Sequence, residues 1–308
     1  MPSTPFFTRA SGKLLLSAEY VVLDGALALA APTRFGQTLD VQPGNSNAAL
    51  HWHSINEKDE IWFDAEFALP ELHIRHSTHE KTAETLQGIL KAIRRQQPDF
   101  LKDTAGIEVR TRTDFPRAWG LGTSSTLIAA LCAWSNADPY TVLFETMGGS
   151  GYDLACAYAP GALLYHLEKG VPAIEHIDFH PPFADQLYFV YTGQKQDSRE
   201  GIQRYRQQKP SAGLIDAISN ITRGLLEAAD IDSFENLLEE HEALISTQLK
   251  MPRAAETLFP AYPGVVKSLG AWGGDFVLVS SLWDKDTTIG WFRERGFGTI
   301  LSWTAMLR

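Results

Sequence analysis

The stretch PRAWGLGTSSTLIAAL, residues 116–131, decides how the rest of the chain is read. Glycines at 120 and 122 remove Cβ atoms from the backbone, so a ligand can approach it closely. Thr123, Ser124, Ser125 and Thr126 then open an apolar run that predicts a helix to about Trp134. A helix N-terminus offers unpaired N–H groups and the positive end of a dipole, and both attract phosphate. Hydroxyls at that end can also ligate magnesium bridging two phosphates. Taken alone, a Ser/Thr-capped helix after a glycine turn explains the same residues. The stretch is not a Walker loop, since no GxxxxGK[ST] occurs in the chain, and a dinucleotide fingerprint would need a third glycine.

Working outward, residues 13–18 (KLLLSA) and 26–31 (ALALAA) are short apolar runs separated by the turn signal Asp24-Gly25. Ile61, Phe63, Ala65 and Phe67 alternate as a strand, and Leu86, Ile89, Leu90 and Ile93 recur at helical spacing. Ile107, Val109 and Thr111 predict the strand that leads through Phe115-Pro116 into the glycine loop. Asp138-Pro139 reads as an N-cap followed by proline at the first helical position. A short helix carrying Asp153 follows the glycines at 148–151. Leu187 to Tyr191 reads as a buried strand, Leu214 to Leu249 as helix, and Phe276 to Ser280 as a strand followed by a helix near 286–295 and a last strand. The mixed order predicts an α+β fold of two lobes, cut near His180-Pro181-Pro182 into residues 1–180 and 181–308.

Composition bounds the function. Of 308 residues, 44% are apolar and 21% charged, ordinary globular values that allow a sizeable core. The formal net charge of -10 repels nucleic acid, and no long Lys/Arg run offsets it. It also repels anionic small molecules, so a site for them needs local cations, amide dipoles or a metal. The apolar runs are too short to span a bilayer, and the N-terminus lacks the apolar core of a signal peptide. Cys132 and Cys156 both lie in apolar helical stretches and read as buried thiols of a reducing compartment, which places the protein in the cytoplasm. No HExxH or CxxC spacing points to zinc.

Three further stretches join the glycine loop: GKLLLSAEYVVLDG at 12–25, GGSGYDLACA at 148–157 and KSLGAWGGDFVLV at 267–279. In order, the four resemble the motifs of the GHMP kinases (galactokinase, homoserine, mevalonate and phosphomevalonate kinases), over nearly the whole chain. Glu19-Tyr20, Gly149-Ser150-Gly151-Tyr152-Asp153 and Gly273-Gly274-Asp275 are most similar to the phosphomevalonate kinase forms. The chain departs from the pattern at Ala18 and Trp272, each where a glycine is usual, and the indole is expected to narrow the space near the phosphates or the acceptor.

The resemblance implies a two-lobed GHMP kinase fold, with the active site in the cleft between an N-terminal α/β, ATP-binding domain and a C-terminal α+β domain. It implies ATP and Mg2+ as cofactors and a small acidic, mevalonate-like substrate, with no nucleic acid or membrane partner, and it allows a homodimer. Gly120, Leu121, Gly122, Thr123, Ser124 and Ser125 are then the phosphate loop, and Ser124 corresponds to the family's magnesium-binding serine. Asp153 corresponds to the catalytic carboxylate, which takes the acceptor's proton or orients it. Lys13 corresponds to a lysine that stabilises the transferring phosphoryl group. Glu19 is expected either to hold Lys13 or a metal-bound water, or to serve as a structural ion-pair partner. Glu145 is the nearest counterpart of the family's magnesium carboxylate. Lys195, Ser198, Arg199, Gly273 and Gly274 are expected at the acceptor, Lys195 and Arg199 as anion binders or as a solvated charged loop. The implied reaction is MgATP-dependent phosphorylation of mevalonate or 5-phosphomevalonate in isoprenoid precursor synthesis. A catalytically silent relative, or a kinase for homoserine or a sugar, is the alternative.

Overall fold

The computed structural model describes residues 5–44, 48–102, 106–194 and 198–308. Its strands are β1 (Phe6–Leu15), β2 (Ala28–Pro43), β3 (Ala49–Ile55), β4 (Ile61–Ala68), β5 (His73–Ser77) and β6 (Ile107–Thr113). β7 (Leu163–Glu168), β8 (Val171–His176), β9 (Leu187–Tyr191), β10 (Val266–Ser268), β11 (Phe276–Ser280) and β12 (Ile300–Ser302) follow. The helices are α1 (Glu80–Gln96), α2 (Thr123–Ser135), α3 (Pro139–Thr146), α4 (Tyr152–Ala157) and α5 (Ser198–Arg206). The remaining helices are α6 (Leu214–Glu227), α7 (Ile231–Leu249), α8 (Ala254–Thr257), α9 (Lys285–Arg293) and α10 (Trp303–Met306). None is long and apolar enough to cross a membrane.

These elements form two compact units that are not contiguous along the chain. The first gathers the described residues up to Gly12, Phe35–Arg117 and Leu121–Tyr158. The second gathers Lys13–Arg34, Ala118–Gly120 and Ala159–Arg308. The break at His180-Pro181-Pro182 is a loop between β8 and β9 inside the second unit.

In the first unit the strand order is β5-β4-β3-β6-β2, antiparallel except for the parallel β3–β6 pair. Period-2 alternation puts Phe63, Ala65 and Phe67 of β4 and Ile107 and Val109 of β6 on the buried face. Leu39 and Val41 of β2 and Leu50 and Trp52 of β3 join this core, and helices α1 to α4 pack onto it, α1 through Ala83, Leu86, Ile89, Leu90 and Ile93. Cys132 of α2 and Cys156 of α4 are buried and unbridged, as their apolar settings predict, and burial pushes the Cys132 thiol up to about 12.

In the second unit the first residues of β2 (Ala28 to Ala30) pair with β7, and β7 pairs with β8. A separate antiparallel sheet has the order β10-β11-β9-β12. The helix expected over 214–249 is in fact two. Asp230 breaks it, because its carboxylate accepts the Ser233 amide and so caps a new helix, and α7 folds back along α6.

The helix behind the glycine loop is held by a side-chain bond. Thr126 donates its hydroxyl to Gln37 Oε1 at 2.7 Å, tying the first turn of α2 to β2, and both residues are buried. Thr126→Val keeps the shape and strands the Gln37 oxygen. It is expected to lower the unfolding free energy by about 1–3 kcal/mol in a guanidinium titration, whereas Thr126→Ser stays near wild type.

Candidate functional site

The glycine loop belongs to both units, with Gly120 in the second and residues 121–125 in the first. On the second unit's side, Trp119 packs edge-on against Phe276 and tilted against Tyr191, and Tyr191 donates its hydroxyl to the Ala118 carbonyl. This seats Gly120 beside Asp275. Gly120 has φ 67°, and a Cβ there would collide with the Asp275 carboxylate, so the glycine is required twice over. Lys13 donates from Nζ to the Gly120 carbonyl at 3.4 Å. The structure thus brings Lys13, Gly120 and the turn that ends at Asp275 around one peptide.

On the first unit's side, Gly122 (φ 90°) is the N-cap of α2, which starts at Thr123. A glycine cap has no side chain to close the first-turn amides, so these are left to water or a ligand. Ser124 is exposed and Thr123 half-buried, while Ser125 turns inward and donates to the Gly122 carbonyl at 2.9 Å. Gly151 (φ 91°) starts α4 in the same way. Asp153 lies half-buried in its first turn, and α4 packs on α2. By contrast α3 and α9 are capped by Asp138 and Asp284. Glu145, on the last turn of α3, is ion-paired with Arg95 at 2.5 Å. Among the described residues no group of three or more His, Cys, Asp or Glu side chains is placed to hold a metal.

Glu19 is the expected structural ion-pair partner, but of a residue that sequence reasoning missed. It is wholly buried and accepts from Lys267 Nζ at 2.8 Å, with Glu242 Oε1 at 3.6 Å from the same ammonium. Ser268 donates to Glu242 through its amide and its hydroxyl. His241 accepts the Ala18 amide on Nε2 at 2.8 Å, which assigns its ring proton to Nδ1. The 3.3 Å approach of Glu19 Oε2 to that same nitrogen is therefore a contact and not a charged bridge. Burial raises the pKa of Glu19, against the pull of Lys267, and pushes that of Glu242 up to about 8. Burial and the Lys267 charge hold His241 well below 6.5.

The motif departures acquire physical reasons. Ala18 has φ 67°, the left-handed conformation a glycine would adopt there. Trp272 does not project into open space. It is 2% exposed, and its Nε1 donates to the Pro252 carbonyl at 3.0 Å. The expectation that the indole narrows an acceptor space is thereby corrected: the ring packs inside the second unit. Gly273, with φ 80°, is the third residue of a turn closed by the Gly274 amide on the Ala271 carbonyl. Lys195 lies outside the described residues, and Ser198 and Arg199 begin α5.

Lys267 and His241 each left a signal. Lys267 interrupts the apolar approach to a strand, and His241 falls on the α7 stripe between Leu238 and Ile245. Asp275 left one as the last residue of the Gly273-Gly274-Asp275 motif, without a role of its own attached to it.

No family model matches the chain, and no curated protein sequence matches it. Solved structures do match. The Streptococcus pneumoniae phosphomevalonate kinase in complex with phosphomevalonate and AMPPNP has a TM-score of 0.70 at 16% identity, covering 96% of this chain and 99% of that chain. The L. major mevalonate kinase in complex with R-mevalonate has a TM-score of 0.67 at 18% identity, covering 98% and 96%. The Lactococcus lactis galactokinase complexed with galactose has a TM-score of 0.65 at 12% identity, covering 96% and 89%. At these identities the likeness is one of fold, and it is the fold that the motif resemblance implies.

The buried cluster generates a pH dependence. Glu242 loses its proton near 4.5 when unfolded and near 8 when folded. Between those values the folded state holds the extra proton, so stability falls as pH rises, by at most about 1.4 kcal/mol per unit. His241, depressed on folding from 6.5, contributes the opposite slope below that pH. The net fall is therefore expected from about pH 6.5 to 8 in urea titrations, and Glu242→Gln is expected to flatten it, Glu19 leaving a residual slope of the same sign. Parallel wild-type and variant profiles would assign the fall to other groups.

Proposed function

We propose that the chain is an ATP-dependent phosphotransferase of the GHMP kinase type, acting on mevalonate or 5-phosphomevalonate. The observation that carries this is the meeting of Lys13, Gly120 and the 271–275 turn around one peptide, at the loop whose other half opens α2 with uncapped amides. Three of the four motifs that resemble the kinases contribute to that loop and its surroundings.

The residues fit a nucleotide's phosphates. Glycines 120 and 122 take left-handed conformations, and the amides that follow are not closed by a cap side chain. That arrangement receives anions through dipoles, which suits a chain of net charge -10. Magnesium, when bound with the nucleotide, would neutralise charge between its phosphates. Ser124 offers it an exposed hydroxyl, and the Arg95-bound Glu145 is a poor ligand for it. Such a donor set suits an ion carried largely by phosphates and water.

Asp153 is assigned to the acceptor. It takes the proton of a hydroxyl as the new O–P bond forms and the bond to the leaving ADP breaks, or it orients a phosphate acceptor that needs no base. Lys13 is assigned to the charge that develops on the transferring group; its hold on the Gly120 carbonyl keeps the ammonium at the loop. Arg199 and Ser198 at the start of α5, with Lys195 before it, are assigned to the substrate's anionic groups, and Gly273 and Gly274 to close backbone approach. The silent-relative reading loses two of its motives, since Ala18 keeps the backbone of a glycine and Trp272 buries its ring. Two buried, unbridged cysteines suit the cytoplasm.

The test is coupled ADP release over mevalonate, 5-phosphomevalonate, homoserine and galactose, expected to be fastest with one of the first two. Lys13→Met and Asp153→Ala are each expected to lower kcat by about 10²–10⁴-fold. Background ADP release with every acceptor, or full activity of Asp153→Ala, would defeat the proposal.

A further inference from the structure

Tyr20 is the residue of the first motif to which the kinase reading gives no task. Its backbone has a positive φ of 63° with ψ -42°, at the centre of a tight turn closed by the Val21 amide on the Glu19 carbonyl, and its side chain is buried. Two segments of the second unit, the glycine turn and α5, converge on it. The Trp272 amide, in the glycine turn, donates to the Tyr20 hydroxyl at 2.9 Å. Tyr205 of α5 stacks on its ring, with centroids 5.9 Å apart and planes inclined by 23°. Gly201, one helical turn before Tyr205, lies so close that a Cβ there would collide with the Tyr20 hydroxyl and ring edge. Tyr205 in turn donates its hydroxyl to Asp24, which follows Tyr20 in the same loop.

Filling a core would not require this arrangement. A buried phenol needs one polar partner, and here the partner is a main-chain amide of the glycine turn, so the hydroxyl fixes that backbone directly. Glycine is a poor helix former, and Gly201 is required only because Tyr20 occupies the space of its side chain. Gly201 and Tyr205 are four apart and share one helical face, so α5 is seated on Tyr20 through both of them.

The geometry points to Tyr20 as a positioning residue that fixes α5 and the 271–275 turn relative to each other, and so sets affinity for the acceptor. The acceptor half of this rests on the kinase reading, which places Ser198 and Arg199 at the head of α5 and Gly273 and Gly274 in the turn. Tyr20 itself touches no reacting group.

Two readouts test it. With mevalonate and 5-phosphomevalonate as acceptors, Tyr20→Phe strands the Trp272 amide and is expected to raise the KM of the better acceptor about tenfold. The KM for ATP and kcat are expected to change little. Hydrogen exchange read by mass spectrometry is expected to quicken in both 200–206 and 270–275. Gly201→Ala favours the helix itself, yet is expected to produce the same two effects by pushing α5 off the ring. In a Tyr20→Leu background it is expected to add much less, a non-additivity that signals direct coupling. An equal rise in both KM values, additive effects, or unchanged exchange in either segment overturns the positioning role. If the wild type phosphorylates neither acceptor, the kinase reading and the acceptor half fall together. The exchange data then decide whether Tyr20 joins α5 to the turn.

Discussion

A carboxylate and an ammonium taken entirely out of water constrain the second unit more than any other contact within it. Glu19 and Lys267 are both at 0% exposure and 2.8 Å apart. Either charge buried alone would cost several kcal/mol, so the loop after β1 and strand β10 cannot separate without unfolding. Glu242 and His241 add two polar groups from α7 to the same volume. Burial favours the neutral forms of Glu242 and His241, so these two groups add little charge beside the pair. A buried pair is weak evidence for stability, because apolar residues of the same shape often serve as well. Its effect here is positional: three segments distant in sequence are held at one point.

That point lies under strained backbone. Ala18 and Tyr20 have φ 67° and 63°, and an L-residue in this region costs roughly 1–2 kcal/mol. The strain is held by bonds that leave the segment. Ser17 receives the Leu29 amide and pairs with Thr222, the Ala18 amide goes to His241, and the Tyr20 hydroxyl receives the Trp272 amide. Glu19 sits between the two strained residues, and its pairing with Lys267 keeps the turn from relaxing. Strain over-determined in this way is characteristic of functional segments. Lys13 lies earlier on this same stretch of chain, on β1, where its ammonium meets the Gly120 carbonyl.

Much of this was legible locally. The alternation of β4 and β6, the stripe of α1 and the cap at Asp138 depend on near neighbours, and the sequence carries near neighbours faithfully. Gly120 and Gly122 could be recognised as turn residues, yet the reason for Gly120 is the carboxylate of Asp275, which only the tertiary fold brings there. Glu145 looked available for a metal because Arg95, on another helix, is invisible as its partner until α1 and α3 pack together. Trp272 looked obstructive for the same reason, since its hydrogen-bond acceptor is the carbonyl of Pro252. The helix over 214–249 was misread for a local cause: the apolar residues keep helical spacing across Asp230, whose capping bond outweighs the pattern.

The charge balance bears on how such a site divides its work. On the kinase reading proposed above, the loop would attract phosphate through helix amides and glycine backbone, which add nothing to the net charge. Lys13 there donates to the carbonyl of Gly120, the residue against which the Asp275 carboxylate packs, so its field is partly offset on the spot. Discrimination between a carboxylate, a phosphate and a sugar must then come from side chains elsewhere. The neighbours of this fold named above were solved with R-mevalonate, with phosphomevalonate and with galactose. A donor side made of backbone can persist while an acceptor side made of side chains diverges. The three neighbours named above match 96–98% of this chain at 12–18% identity, so their backbone course is shared far more widely than their side chains.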